Sequence, residues 1–345
     1  MFAENLVEKG ADRMLSGLER MSGSLRGWLV NRVVIAYLLA IGLMIIGGLL
    51  VPGFLAFKHI MTVIQASAFL GLVTLGQSIV IISGKEGLDL SVGGIFVLGV
   101  VLSASVLRGH DANLPYALAA VIVCGFALGL VNGVGVSYLN ISPLIMTLAW
   151  GTAAGGIALF STGGVHIGKA SPMLESIGLG SIPIGKPALH LSVPWIVILW
   201  VLVIILAQFI MRRTSIGKTL YGIGANNRAA ALSGVRTKVF RMCVYGVSGI
   251  LSATAGMLLL GYVGEPDVNL GALYILPSVV AAIIGGISFA GGSGSYLGAV
   301  AGSIFLTTLD SILATLQLGE GGRQVTIGIV LLLLLASYTR RTSDE

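Results

Sequence analysis

Asp89-Leu90-Ser91-Val92-Gly93-Gly94-Ile95-Phe96-Val97-Leu98 and Asp267-Val268-Asn269-Leu270-Gly271-Ala272-Leu273-Tyr274-Ile275-Leu276 carry one pattern twice. The register is Asp, any residue, Ser or Asn, any residue, Gly, two more, an aromatic, any residue, Leu, at a constant offset of 178 residues. Each copy follows a glycine-containing apolar stretch and opens another. Asp with Ser or Asn at a helix start accepts hydrogen bonds from the backbone N–H groups that the helix leaves free. Each copy therefore predicts the beginning of a helix.

The surrounding chain is too apolar for water. Hydrophobic residues make up 56 % of the 345 and charged residues 10 %, and the mean hydropathy is +0.99. A soluble domain carries about 25 % charged residues. Fifty glycines suit membrane helices, whose backbones approach closely at small residues. About 20 apolar residues cross the hydrocarbon, and ten stretches read as spans: 33–51, 60–82, 91–107, 116–139, 144–160, 194–211, 242–263, 275–288, 296–316 and 325–338. The expected fold is an all-α membrane protein with about ten transmembrane helices. From one copy of the repeat to the other the chain advances five spans, an odd number, so the halves (about 60–160 and 242–338) are expected to be inverted. Inverted repeats with interrupted helices are a recurring transporter design. The aspartates then have two readings, as simple caps or as broken helix ends bordering a translocation path.

Lysine and arginine placement gives the direction. Segment 212–241 holds Arg212, Arg213, Lys218, Arg228, Arg236, Lys238 and Arg241 with no acid. Placing it in the cytoplasm puts both termini inside, with fifteen cations inside and five (Lys58, Arg108, Lys169, Lys186, Arg323) outside. The net charge of +6 is then a topology signal and implies no nucleic acid. Residues 1–32 read as an amphipathic arm on the cytoplasmic face rather than a cleaved leader, and 339–345 as a cytoplasmic tail. The outside loop 161–193 is long enough to carry a short helix or meet a partner.

Other classes find little support. No G-x-x-x-x-G-K-[ST] loop occurs, so the chain does not hydrolyse ATP alone. Cys124, Cys243 and the four histidines, His59, His110, His166 and His190, form no metal-ligand spacing, and no cofactor or catalytic constellation is expected. Asp310 is the acid set inside a predicted span, where an unpaired charge costs about 3 kcal/mol on insertion scales. It reads either as a polar contact on the path or as a packing hydrogen bond, to Thr307, Thr308 or Ser311 or across helices. An ion-coupled secondary transporter would need more such groups.

Within the basic segment, Gly222-Ile223-Gly224-Ala225-Asn226-Asn227-Arg228-Ala229-Ala230-Ala231-Leu232-Ser233-Gly234 predicts a short helix with a glycine stop. Together with Gly87–Gly94, Leu144–Gly164 and Ala281–Gly302, this segment resembles the monosaccharide permeases of ATP-binding-cassette importers, of the ribose, xylose and galactose type. Branched-chain amino acid permeases are more distant relatives. The resemblance covers most of 35–338. It implies a pore made with a second permease copy or paralogue, separate ATPase subunits below, a periplasmic sugar-binding protein above, and a location in the bacterial inner membrane. It makes Gly224, Asn226, Arg228, Ala230, Leu232, Ser233 and Gly234 the coupling segment that meets the ATPase. Apart from the resemblance, the broken helix ends and the in-span charge make Asp89, Ser91, Asp267, Asn269 and Asp310 the expected path positions, with Gln65, Gln77, Asn132 and Asn140 as further candidates from polarity alone. The chain departs from the family where Ala153-Ala154-Gly155-Gly156 stands in place of a mid-span Arg, and where Asp310 stands in place of Asn. Other cargo, such as a branched-chain amino acid, nucleoside, polyol or autoinducer-like sugar, stays open.

Overall fold

The computed structural model describes residues 31–84, 86–163, 168–184 and 191–342. The expected arm lies outside the described residues except at Asn31 and Arg32. Trp28, Lys85, Gly164, His166, Lys186, His190 and 343–345 also lie outside them.

Among the described residues thirteen α-helices follow in chain order: α1 (Arg32–Leu50), α2 (Phe57–Ile82), α3 (Val92–Leu107), α4 (Leu114–Ser137), α5 (Pro143–Thr162), α6 (Pro172–Leu179), α7 (Trp195–Arg213), α8 (Ser215–Ala225), α9 (Asn227–Leu232), α10 (Thr237–Val263), α11 (Ala272–Ile284), α12 (Tyr296–Thr315) and α13 (Glu320–Thr342). Each stretch read as a span coincides with one of them. Seven, α1, α2, α4, α5, α7, α10 and α12, are long and apolar enough to cross a membrane. The helices that open after the repeated motif are shorter, 16 residues for α3 and 13 for α11. At 1.5 Å per residue they rise about 24 and 20 Å, less than the ~30 Å of hydrocarbon, so the preceding break must occupy membrane depth. The loop between α5 and α7 carries α6 and a small antiparallel hairpin, in which Ser181–Ile184 pairs with Leu191–Pro194.

A shift of 178 residues lays α2–α5 on α10–α13, with every helix end matching within four residues. The halves are inverted. Repeat-related α2 and α10 pack antiparallel: Phe69 meets Tyr262 at 5.6 Å between ring centroids near one end, and Ser83 O accepts from Arg241 at 3.2 Å at the other. Residues that are each other's equivalents also touch. Phe96 stacks on Tyr274 at 4.4 Å and 23°, and a β-carbon on Gly271 would lie 2.3 Å from Gly93 O. Self-paired equivalents of this kind mark the position of a two-fold axis, here between the starts of α3 and α11.

Around that axis α2, α3, α10, α11 and α12 form the buried centre, and α1, α4, α5 and α7 present apolar side chains outward. In lipid the hydrophobic effect does not hold helices together, and close backbone approach replaces it. The α4–α10 seam shows this. A β-carbon on Gly249 would stand 2.0 Å from Gly125 O, and one on Gly129 would stand 2.2 Å from Tyr245 O.

The loops sort into two faces. On one, Gly292 N donates to Ile82 O at 2.9 Å and Tyr221 Oη to Gly294 O at 2.9 Å. On the other, Met173 N donates to Asp111 Oδ1 at 2.8 Å and Ala170 N to Gly264 O at 3.0 Å. The sorting follows the alternation expected from the sequence.

Replacing Gly249 by Leu should destabilise the bundle by about 1–3 kcal/mol or more through overpacking. Gly42→Leu should leave the thermal midpoint in detergent unchanged, because a β-carbon there meets nothing within 4 Å. Thermal unfolding of both purified variants checks the contrast.

Candidate translocation and coupling sites

The two copies of the repeated motif fold alike locally. Asp89 Oδ1 accepts from Ser91 N at 3.1 Å, and Asp267 Oδ1 accepts from Asn269 N at 2.8 Å. Both aspartates close a two-residue turn just ahead of the helix rather than capping it: neither α3 nor α11 has a side-chain hydrogen bond at its N-cap, so the simple capping reading is not met.

Their surroundings differ. Asp89 and Ser91 are fully buried, while Asp267 is half-buried and Asn269 exposed on the opposite face. Asp89 Oδ1 also accepts from Ser91 Oγ at 2.5 Å, and Oδ2 accepts from Ser248 Oγ of α10 at 2.7 Å. Asn132 Nδ2 of α4 donates to Ser91 Oγ at 2.6 Å, and Thr147 Oγ1 of α5 accepts from Leu90 N at 2.9 Å. The Gln77 side-chain amide, oriented to satisfy both, faces the Asp89 backbone N–H and C=O at 3.2 and 3.0 Å. The Asp89–Ser91 segment, through its carboxylate, its backbone and the Ser91 hydroxyl, thus ties α2, α3, α4, α5 and α10 into a single polar knot. Neither Gln77 nor Asn132 has exposed surface, and Gln65 donates to Gly178 O at 2.6 Å, so these three join helices. Asn140 lies exposed in the α4–α5 turn, away from the knot.

A stripe on α10 completes the grip. Arg241, Tyr245 and Ser248, spaced i, i+4, i+7 on one helix face, reach successive points of the break after α2. Arg241 Nη2 donates to Ser83 O at 3.2 Å, Tyr245 Oη to Leu88 O at 3.3 Å, and Ser248 Oγ to Asp89. The sequence reading counted Arg241 only as a cytoplasmic charge; it is 2 % exposed. The spacing of the stripe was the available signal.

Asp310 takes the across-helix reading, though not from the middle of the span. It lies near the end of α12 with its side chain half-exposed, and its partner is Arg323 of α13, with Nη1 at 3.3 Å from Oδ1. Arg323 also pairs with Glu320. The suggested neighbours are engaged elsewhere: Thr307 and Thr308 bond back to Ser303 O and Ile304 O, and Ser311 to His59.

The coupling candidates lie on the face that holds the α2–α3 break. Asn226 caps α9, its Oδ1 accepting from Ala229 N at 2.9 Å. Gly234 sits at φ +85°, a left-handed conformation that stops the helix. Asn226, Arg228, Leu232, Ser233 and Gly234 are exposed, Ala230 is half-buried, and Leu232 reaches 83 %. Six of the seven cations of 212–241 are exposed beside them. Gly224, at the end of α8, is wedged instead: a β-carbon there would lie 1.9 Å from Ile82 O and 2.4 Å from Gly292 N. The stem of α9 is therefore clamped between the end of α2 and the α11–α12 loop.

An inverted bundle of apolar helices with polar broken ends on both faces defines a multi-pass membrane permease. The chain belongs to the family described as branched-chain amino acid transport system / permease component, which matches residues 59–336. It is similar to the galactose/methyl galactoside import permease protein of Escherichia coli K12, 29 % identical over 306 residues, covering 83 % of this chain and 87 % of that protein. It is also similar to the autoinducer 2 import system permease protein of E. coli K12/DH10B, 30 % identical over 307 residues, covering 88 % and 86 %. The ribose import permease protein of E. coli K12 is 28 % identical over 309 residues, covering 89 % and 93 %. No solved structure matches the chain.

Replacing Asp89 by Ala should leave three buried donors without an acceptor, at about 1–3 kcal/mol each if none finds another partner. Asp267→Ala should cost about 0.5–1.5 kcal/mol, as for a single turn hydrogen bond with one partner exposed. Thermal unfolding of the two variants should show the larger drop for Asp89.

Proposed function

We propose that the chain is the permease subunit of an ATP-driven importer in the bacterial inner membrane. It moves a monosaccharide or related polyol handed over by a periplasmic binding protein. Separate ATPase subunits drive the cycle, and a second permease copy or paralogue completes the pore. The reading on cargo is supported by three relatives, two named for sugars and one for autoinducer 2.

The observation that carries the driven-importer reading is α9. A capped, alanine-rich helix with none of its residues buried meets its own chain on its inner side, at Asn227, and leaves an outer face with an 83 % exposed leucine for a partner. Small side chains let a partner approach closely, and the exposed cations around it complement an acidic groove. Gly224, Asn226, Arg228, Ala230, Leu232, Ser233 and Gly234 form this contact in the proposal, with the α9 face cytoplasmic. The cargo path runs beside the Asp89–Ser91 knot, since both residues are sealed from solvent. Asp267 and Asn269 border the entrance on the opposite face, where a delivered sugar first meets the chain. An ion-coupled mechanism has weaker support, because Asp310 is paired with Arg323 near a helix end.

Purified gently from its native membranes, the chain should bring an ATPase subunit with it. Ala230→Trp or Leu232→Asp should weaken that association about tenfold or more, or about 1.4 kcal/mol, without lowering the amount of folded permease. Uptake of labelled galactose or ribose in cells should fall with it. Undiminished uptake after deletion of the co-purified ATPase would overturn the reading.

A further inference from the structure

We infer that Arg241 is the positioning residue through which movement of α9 reaches the helix break at Asp89. The inference rests on the coupling role proposed above for α9.

The guanidinium occupies a junction of three elements. Its backbone belongs to the first turn and a half of α10. Its Nη2 donates to Ser83 O, the C-cap carbonyl of the 26-residue α2, at 3.2 Å, and lies 3.4 Å from Asn227 Oδ1, the first residue of α9. Its Nε is buried without a hydrogen-bond partner. A buried cation usually takes a carboxylate, and none among the described residues is bonded to this one. Its charge is met by the negative end of α2 and by the Asn227 amide oxygen. Few partners mean that each is costly to lose. When α9 is displaced, Asn227 draws on Arg241. The guanidinium cannot separate from Ser83 O without being left desolvated and unpaired, so the end of α2 follows.

The break lies directly downstream of that carbonyl. Ser83 leads through Gly84 into 86–90, and the same face of α10 holds this segment again at Leu88 O and Asp89. Arg241 is the member of the stripe that also touches the coupling helix. It therefore passes displacement of the exposed helix to the buried knot, and through the knot to α3, α4 and α5. The backbone clamp at Gly224 fixes where α8 sits and uses no side chain.

The test uses the full chain in complex with its co-purified ATPase, with Cys124 and Cys243 replaced by Ala. Spin labels go on Met173→Cys, on the opposite face, paired with either Leu232→Cys on α9 or Glu86→Cys in the break. Distances are compared between ADP and ATP plus vanadate. With Arg241 present, both pairs should shift. In Arg241→Gln the Leu232 shift should remain while the Glu86 shift is lost. Asn227→Ala removes the same bridge from the surface without touching the buried cation, and should give the same split if Arg241→Gln fails to fold. A Glu86 shift retained in both variants overturns the inference while leaving the coupling reading intact. A Leu232 pair that stays fixed with Arg241 present defeats the coupling reading, and this inference with it.

Discussion

A helix can stop at membrane depth only where protein supplies partners for the backbone groups it frees. This chain stops a helix so twice, and Asp89 shows how the condition is met. One carboxylate accepts from Ser91 N, Ser91 Oγ and Ser248 Oγ, while Gln77 faces its own peptide groups and Thr147 receives Leu90 N. The shortness of α3, the antiparallel packing of α2 on α10, and the stripe that reaches from α10 to the break all depend on that arrangement.

The second break satisfies the same local rule with less. Asp267 closes its turn on Asn269 by backbone and side chain, at 2.8 and 3.1 Å, with the asparagine exposed. The two-fold axis through Phe96–Tyr274 therefore relates halves that share a path of chain and differ in what surrounds it. The first break is sealed and lies on the face of α9. The second is open and lies on the face of α6 and the hairpin. A permease needs such a difference, because one face takes up cargo and the other answers to the driving partner.

The architecture was largely legible in the sequence. Apolar length located the helices, and the constant offset between the two motifs disclosed the inverted halves, because both signals depend on local composition that the bilayer enforces. The glycine stop at Gly234 was legible from local composition as well; the cap at Asn226 was not read. Partner identity was not. Asp89 and Asp267 carry the same motif yet differ in burial, since that is decided by α4, α5 and α10 arriving from elsewhere in the chain. Gln77 and Asn132 have the polarity of path residues and join helices instead. Asp310 found Arg323 on the following helix, which no spacing within α12 could announce. Arg241 entered the topology count with six exposed cations, and only packing separates it from them.

The account rests on α9 and the Asp89 break sharing the cytoplasmic face of an inverted bundle. Labelling with a membrane-impermeant maleimide tests this most directly, using single cysteines at Leu232 and Met173, which are 83 % and 52 % exposed on opposite faces. In intact spheroplasts of a chain otherwise free of cysteine, Met173→Cys should react and Leu232→Cys should react only after the membrane is opened. Reaction of Leu232→Cys in sealed spheroplasts would contradict the account.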